Sequence, residues 1–278
     1  MMRVISIQSQ VVHGHVGNSA AVFPMQAKGV EVAAVPTALL SNHPRYPTVH
    51  GKVLEPDFVA GLLRGVEERG LVESAKIVIT GYLGSVENGL VVADFVARAR
   101  QRNPGLVYIC DPVMGDDDLG LFVKPGQVDV FRERLVPMAS VITPNQYELE
   151  QLTMHKARSQ AGLDAAMRLL AQSGTGAAAV TGCVLDDTAP GMVESVVWTP
   201  DRLTRNAVDR LPIRPCGTGD LFTGLLAPSL CAGWGLHDAA AGATKEIFAV
   251  LERTQAAGAD EMRIVGFPFA QIETQESP

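Results

Sequence analysis

The residues best suited to chemistry form the run Pro215-Cys216-Gly217-Thr218-Gly219-Asp220-Leu221-Phe222-Thr223-Gly224, where a glycine-punctuated loop leads into an apolar helical pattern. Two glycines around one threonine let the backbone approach a bound group and point successive N–H groups the same way, with the positive end of the helix dipole behind them. Such a cradle stabilises a phosphate or a developing negative charge without a lysine. Asp220 falls in the first turn of that helix. A carboxylate there repels phosphate, so the use it suits is to take the proton from a substrate hydroxyl that attacks phosphorus. Gly217, Thr218, Gly219 and Asp220 together read as a phosphotransferase arrangement. The competing reading is that Thr218 or Asp220 merely caps the helix while the glycines shape a turn.

Elements able to position such a group are plentiful. The chain has 278 residues, 47% of them hydrophobic and 19% charged, which suits one sizeable globular core rather than a membrane or disordered chain. Its 23 basic and 30 acidic residues give a net charge of −7, and no Lys/Arg cluster offers a nucleic-acid surface. Cysteines 110, 183, 216 and 231 show no C-x-x-C spacing, so reduced thiols and a cytoplasmic setting are expected. The N-terminal apolar stretch is too short for a secretion signal and reads as a first strand.

Strand and helix patterns then alternate. Strands are expected at Val4 to Gln8, Glu31 to Leu40, Lys76 to Thr80, Leu106 to Cys110, Val141-Ile142 and Ala177 to Thr181. Helices are expected at Ala20 to Lys28, Asp57 to Arg69, Asn88 to Arg102, Gln127 to Leu135, Ala165 to Gln172, from the glycine motif to about Leu230, and at His237 to Ala256. Lys245-Glu246 is expected on the outer face of the last helix, and residues 183 to 213 as hairpins at a sheet edge. This alternation predicts an α/β fold, a three-layer α/β/α sandwich whose central sheet is mostly parallel. With no linker or repeat, one domain over 1–278 is expected, with a poorly patterned tail from about 266. Ligands in such sheets gather where strands finish at their carboxyl edge, which here brings up Ser9, Tyr82, Asp111 and Thr143. Asn145 and Glu148 sit three apart at the next helix start, and Asp116, Asp117 and Asp118 form an acidic loop whose last two members read as a solvated, mobile tip.

Seven stretches in order resemble the pyridoxal kinases of the ribokinase-like superfamily: Ser6-Ile7-Gln8-Ser9-Gln10-Val11-Val12, Gly14-His15-Val16-Gly17-Asn18-Ser19-Ala20-Ala21, Ser41-Asn42-His43, Gly81-Tyr82-Leu83-Gly84, Cys110-Asp111-Pro112-Val113-Met114-Gly115, Thr143-Pro144-Asn145-Gln146 and Gly217-Thr218-Gly219-Asp220. The resemblance implies ATP-dependent phosphorylation of the 5′-hydroxymethyl group of pyridoxal, pyridoxine or pyridoxamine. It implies Asp220 as base, Gly217 to Gly219 as the anion hole, and Ser9, Val16, His43 and Tyr82 around the substrate ring. It also implies a nucleotide and cation shell of Asp111, Asp116, Thr143, Asn145, Glu148 and Thr181. Within that shell Asp111, Glu148, Thr143 and Thr181 would serve Mg²⁺ and a monovalent ion such as K⁺. A homodimer is implied as well. Read without the family, Glu148 is a helix-start carboxylate, Tyr82 a core tyrosine, and the His13/His15 pair lacks the third ligand a metal needs.

One departure stands out: many relatives have threonine after Ser-Asn-His, and this chain has Pro44, which offers neither a hydroxyl nor an N–H. A substrate contact is therefore lost or replaced. Two other readings stay open, a hydroxymethylpyrimidine kinase of the same fold and a vitamer-binding protein without catalysis.

Overall fold

The computed structural model describes residues 2–272. β1 (Arg3–Val11), almost wholly buried, leads through a loop to α1 (Asn18–Ala27) and then to β2 (Glu31–Leu40), which pairs with β1 in parallel. A loop turns back into β3 (Gly51–Val53), antiparallel to β2. α2 (Pro56–Glu68) and the single turn α3 (Leu71–Ser74) cross over to β4 (Ile77–Thr80), parallel to β1 on its other side. α4 (Val86–Arg102) carries the chain to β5 (Val107–Cys110), and a small hairpin, β6 (Gly115–Asp116) with β7 (Gly120–Leu121), stands beyond it. α5 (Gln127–Val130) widens into a π-helical turn at Phe131–Leu135 and tightens again at Val136–Met138 before β8 (Val141–Ile142). α6 (Gln146–Thr153) and α7 (Gln160–Ser173) precede β9 (Ala178–Cys183), the hairpin β10 (Met192–Thr199) and β11 (Arg202–Asp209), then α8 (Thr218–Cys231) and α9 (Leu236–Ala256).

Nine strands make one sheet in the order β11-β10-β9-β8-β5-β4-β1-β2-β3. The six from β9 to β2 run parallel, and antiparallel strands finish both sides. Parallel neighbours need long crossovers, and helices supply them on both faces, which is why β4 and β5 are apolar without alternation. One apolar cluster joins the sheet to α2, α4, α6 and α7; a second joins α8 and α9 to the other face. Among the described residues no helix is long and apolar enough to cross a membrane.

Four expectations need correction. β1 does not stop at Gln8: its pairing with β2 continues past an irregularity at Gln8/Gln10 as far as Val11, so Ser9 lies inside the strand. The helix expected over Gln127 to Leu135 is α-helical for one turn only, since Pro137 just beyond has no N–H to continue the ladder. Glu246 is not on an outer face; its carboxylate meets the buried Lys28 ammonium at 2.6 Å. Asp117 and Asp118 are not a free loop tip, because Arg158 grips Asp117 and Arg214 grips Asp118. In the poorly patterned tail, Phe267 and Phe269 pack into the α8/α9 cluster, while 273–278 lie outside the described residues.

Candidate active site

Adjacent strand ends are tied together by backbone hydrogen bonds. Gly81 N–H donates to Ile7 O (3.1 Å), Asp111 N–H to Thr80 O (2.8 Å), Thr143 N–H to Cys110 O (3.0 Å), and Thr181 N–H to Pro144 O (2.9 Å). Ser9, Tyr82, Asp111, Thr143, Asn145 and Thr181 are thereby set along one carboxyl edge. Below Ser9 the floor is a buried polar chain: Gln8 Nε2 donates to Ser6 Oγ, Ser6 Oγ to Asn18 Oδ1, and Asn18 Nδ2 back to Gln8 O.

The mouth of α8 faces this edge. Gly217 precedes the helix at φ 83° and no side chain caps it among the described residues, so Thr218 and Asp220 are helix residues and not caps. The leading N–H groups are left to an incoming acceptor. Gly217 is required twice over: its φ lies in the left-handed region, and a Cβ there would come within 1.8 Å of His15 O. The same loop supplies Gly17, whose N–H bonds the Asp220 carboxylate. Gly17, at φ 54°, rests directly on Ser9, with no space for a Cβ beside Ser9 O.

Three buried carboxylates converge here. Burial pushes Asp220 up to about 6 against the opposing bond from Gly17. Burial lifts Asp111 well above the carboxylate range, helped by repulsion from Glu148 and Asp220 and resisted by the Thr223 and Thr143 hydroxyls. Glu148 is pushed up to about 8 by burial, although it accepts N–H bonds from Met114 and Asn145 at 2.9 and 2.8 Å. Asn145 and Glu148 close a reciprocal capping box on α6, which fixes both. No lysine or arginine forms an ion pair with any of the three among the described residues. Like charges brought together in a desolvated place raise one another's affinity for protons or for cations. Asp220 thus stands above the ordinary carboxylate range, which brings the group closer to the pH at which a general base works best.

Sequence reasoning missed Thr223. It lies three residues after Asp220 on the same helical face, with its hydroxyl 2.9 Å from that of Thr143 and 3.3 Å from Asp111 Oδ2. A lone threonine in an otherwise apolar stretch of α8 was the available signal. Asp116 stands apart from the carboxylate group: Oδ1 caps its own loop by accepting from Asp118 and Leu119 N–H, and Oδ2 meets Arg45 at 3.2 Å.

On the substrate side, Tyr82 is half-buried, and Thr37 Oγ1 donates to its carbonyl at 2.6 Å. His43 is buried, and Pro44 takes the second position of a turn closed by Tyr46 N–H to His43 O. That turn lays the Tyr46 ring against His43 with centroids 4.7 Å apart. Pro44 thus gives up a hydroxyl and gains a fixed turn. Val16 follows His15 in the segment pressed against Gly217.

Parallel strands whose carboxyl ends meet an uncapped, glycine-led helix beside buried carboxylates define a ribokinase-like α/β phosphotransferase. A family model described as phosphomethylpyrimidine kinase matches residues 14–264. The chain is 41% identical to a pyridoxal kinase of Rubrobacter xylanophilus over 95% of its own length and 91% of the relative's. It is 40% identical to a pyridoxine/pyridoxal/pyridoxamine kinase of Bordetella avium, covering 97% of this chain and 91% of that one. The solved structure of Leishmania donovani pyridoxal kinase in complex with ADP and pyridoxamine superposes with a TM-score of 0.89 at 29% identity, covering 96% and 95% of the two chains. The chain belongs to the phosphomethylpyrimidine kinase family and, within it, to the pyridoxal kinases.

Proposed function

We propose that the protein uses ATP to phosphorylate the 5′-hydroxymethyl group of pyridoxal, and of pyridoxine and pyridoxamine, giving pyridoxal 5′-phosphate and its analogues in vitamin B6 salvage. The observation that carries this reading is Asp220, buried, raised to about 6, and held by Gly17 N–H at the open mouth of α8. In the step proposed, the substrate hydroxyl oxygen bonds the γ-phosphorus, the bond from phosphorus to the ADP oxygen breaks, and Asp220 receives the hydroxyl proton before releasing it to solvent. Charge builds on the equatorial oxygens of the migrating group, and the N–H groups of Gly217, Thr218 and Gly219 lie where they stabilise it. Ser9, Val16, His43 and Tyr82 orient the ring so that its hydroxymethyl arm reaches Asp220, which replaces an encounter by a held geometry.

The donor set fits Mg²⁺. Asp111 and Glu148 are hard, desolvated oxygens lacking a cationic partner, and no cage of three metal-ligating side chains exists among the described residues. An ion that keeps its waters and leans on nucleotide phosphates suits that sparse arrangement. Bound with ATP, such an ion would neutralise phosphate charge, and Asp111 and Glu148 are the residues that would hold it. The hydroxyls of Thr143 and Thr223 beside Asp111 suit a monovalent ion, with Thr181 at the next strand end as a further oxygen donor, and Asn145 and Asp116 flank the nucleotide side. One catalytic domain and a homodimer complete the proposal, the second checked by light scattering.

The deciding experiment is product analysis after incubation with ATP, Mg²⁺ and a panel of pyridoxal, pyridoxine, pyridoxamine and hydroxymethylpyrimidine. Fastest phosphorylation of pyridoxal is expected. Faster turnover of the pyrimidine, or vitamer binding with no ATP consumed, overturns the assignment.

A further inference from the structure

A further carboxylate, Glu261, lies outside the phosphoryl-transfer group and meets the loops that carry His15 and His43. Glu261 follows α9 in a segment without regular structure, yet it is anchored by Met262 and Ile264, both fully buried. Its side chain is only 15% exposed and reaches two loops remote in sequence. Oε1 accepts from His43 Nε2 at 2.8 Å and from Tyr46 O–H at 2.9 Å; Oε2 accepts from His15 N–H at 3.1 Å. A Cβ on Gly14 would strike the same carboxylate at 2.9 Å, so the loop is shaped around it.

The chemistry follows from which atoms are taken. A carboxylate is an acceptor only, so the nitrogen of His43 facing it must carry a hydrogen. In the neutral imidazole this leaves Nδ1 as an acceptor, and His43 Nδ1 is buried without a hydrogen-bond partner among the described residues. A buried, unpaired acceptor costs free energy unless something fills it, and the element that carries it borders the substrate ring in the reading above. We propose that Glu261 is a positioning residue: it fixes the ring and tautomer of His43 so that Nδ1 presents a lone pair to a donor on the substrate heterocycle, a phenolic hydroxyl or a ring N–H. Burial works against an ionised Glu261, but the bonds from Tyr46 and His43 outweigh it and hold the acid below its usual range, so the acceptor role is maintained near neutrality. The other oxygen holds His15, whose carbonyl is pressed on Gly217, so the same side chain references the ring-binding loop to the anion cradle.

This inference rests on the kinase reading, and the two fail differently. Wild-type turnover of pyridoxal tests the kinase; the variants below test only Glu261. In Glu261→Gln one oxygen becomes an amide N–H₂ facing either the His43 and Tyr46 donors or the His15 N–H, so the network is broken. KM for pyridoxal is expected to rise about tenfold or more, the scale of a lost charge-assisted hydrogen bond, with a smaller fall in kcat and an unchanged KM for ATP. In a His43→Ala background the same substitution is expected to add almost nothing to the pyridoxal KM, leaving only the smaller kcat effect that passes through His15. Tyr46→Phe, which keeps the ring and its stacking on His43, gives a second, gentler cycle should Glu261→Gln fold poorly. An unchanged pyridoxal KM in both variants overturns the proposal. So does an equal rise in the pyridoxal and ATP KM values, or effects of Glu261 and His43 substitutions that simply multiply.

Discussion

Glu148 and Glu150 stand two residues apart on α6, each only 4% exposed, and their charges meet opposite fates. Glu150 is gripped by Arg158 at 2.6 Å, Lys156 at 2.9 Å and Ala157 N–H at 3.1 Å, and Arg158 carries the network on to Asp117. Burial raises its affinity for a proton, but those partners overcome it and hold the acid below its usual range. Glu148 has backbone N–H donors and no cation, and rises to about 8. The two side chains are covered alike, but Glu148 lies deep in the protein while Glu150 sits beneath the exposed Lys156 and the partly exposed Arg158, so depth and partner together set the two charges apart. A carboxylate with its own arginine is a strut between α6, the following loop and the acidic loop. One held only by neutral donors keeps a proton near neutrality and can exchange it for a cation brought in from outside, which suits a nucleotide-dependent phosphotransferase.

The largest effect should come from the active-site side of this contrast. Asp220→Asn removes the proton acceptor while leaving the shape, and kcat is expected to fall about 10²–10⁴-fold with the KM for ATP nearly unchanged. Steady-state kinetics with pyridoxal and ATP check it. Next come two glycines of one motif. Gly217→Ala forces a Cβ onto His15 O at a left-handed backbone and should abolish most activity, whereas Gly219→Ala meets nothing within 4 Å in the protein and should leave the fold intact. Thermal unfolding of both variants beside their turnover separates them.

The pH dependence of stability sharpens the comparison further, because the two glutamates give opposite slopes. Glu148 binds its proton more tightly folded than unfolded, so its contribution is most favourable below about its ordinary value of 4.5 and is lost as pH rises toward about 8. Glu150 binds its proton less tightly folded, so its contribution is present above 4.5 and disappears as pH falls through its lowered folded value. Denaturant titrations of the ligand-free protein should find the stability gap moving toward Glu148→Gln as pH rises from 5 to 8, and toward wild type at Glu150→Gln as pH rises through the acid range. At pH 7 Glu150→Gln should cost about 1–3 kcal/mol. The smallest effect belongs to Lys156→Ala: with its side chain 81% exposed, the loss should stay below about 1 kcal/mol.

The residue pattern alone makes the sheet and the phosphate cradle legible. Apolar strands alternating with long helices require parallel crossovers, which leave few alternative topologies, and the glycine-led helix carries its own signature at Gly217 to Asp220. What escapes the pattern are contacts between segments remote in sequence. Glu261 sits in a patternless stretch and gains meaning only from His43, Tyr46 and His15, more than 200 residues earlier. Glu246 reads as exposed because periodicity reports a face and not the Lys28 that covers it. The opposite tuning of Glu148 and Glu150 is invisible for the same reason: the sequence shows two acids on one helix, while their charges are set by a strand-end loop on one side and Arg158 on the other.

The proposed mechanism has the raised Asp111 and Glu148 carboxyls give up protons when the nucleotide's cation binds. Calorimetric titration of the protein with Mg²⁺ and ADP at pH 7, run in buffers of different ionisation enthalpy, counts those protons directly. Net release that shrinks in Glu148→Gln and is untouched by Glu150→Gln is the predicted result; binding with no proton release, or release that vanishes with Glu150, contradicts it.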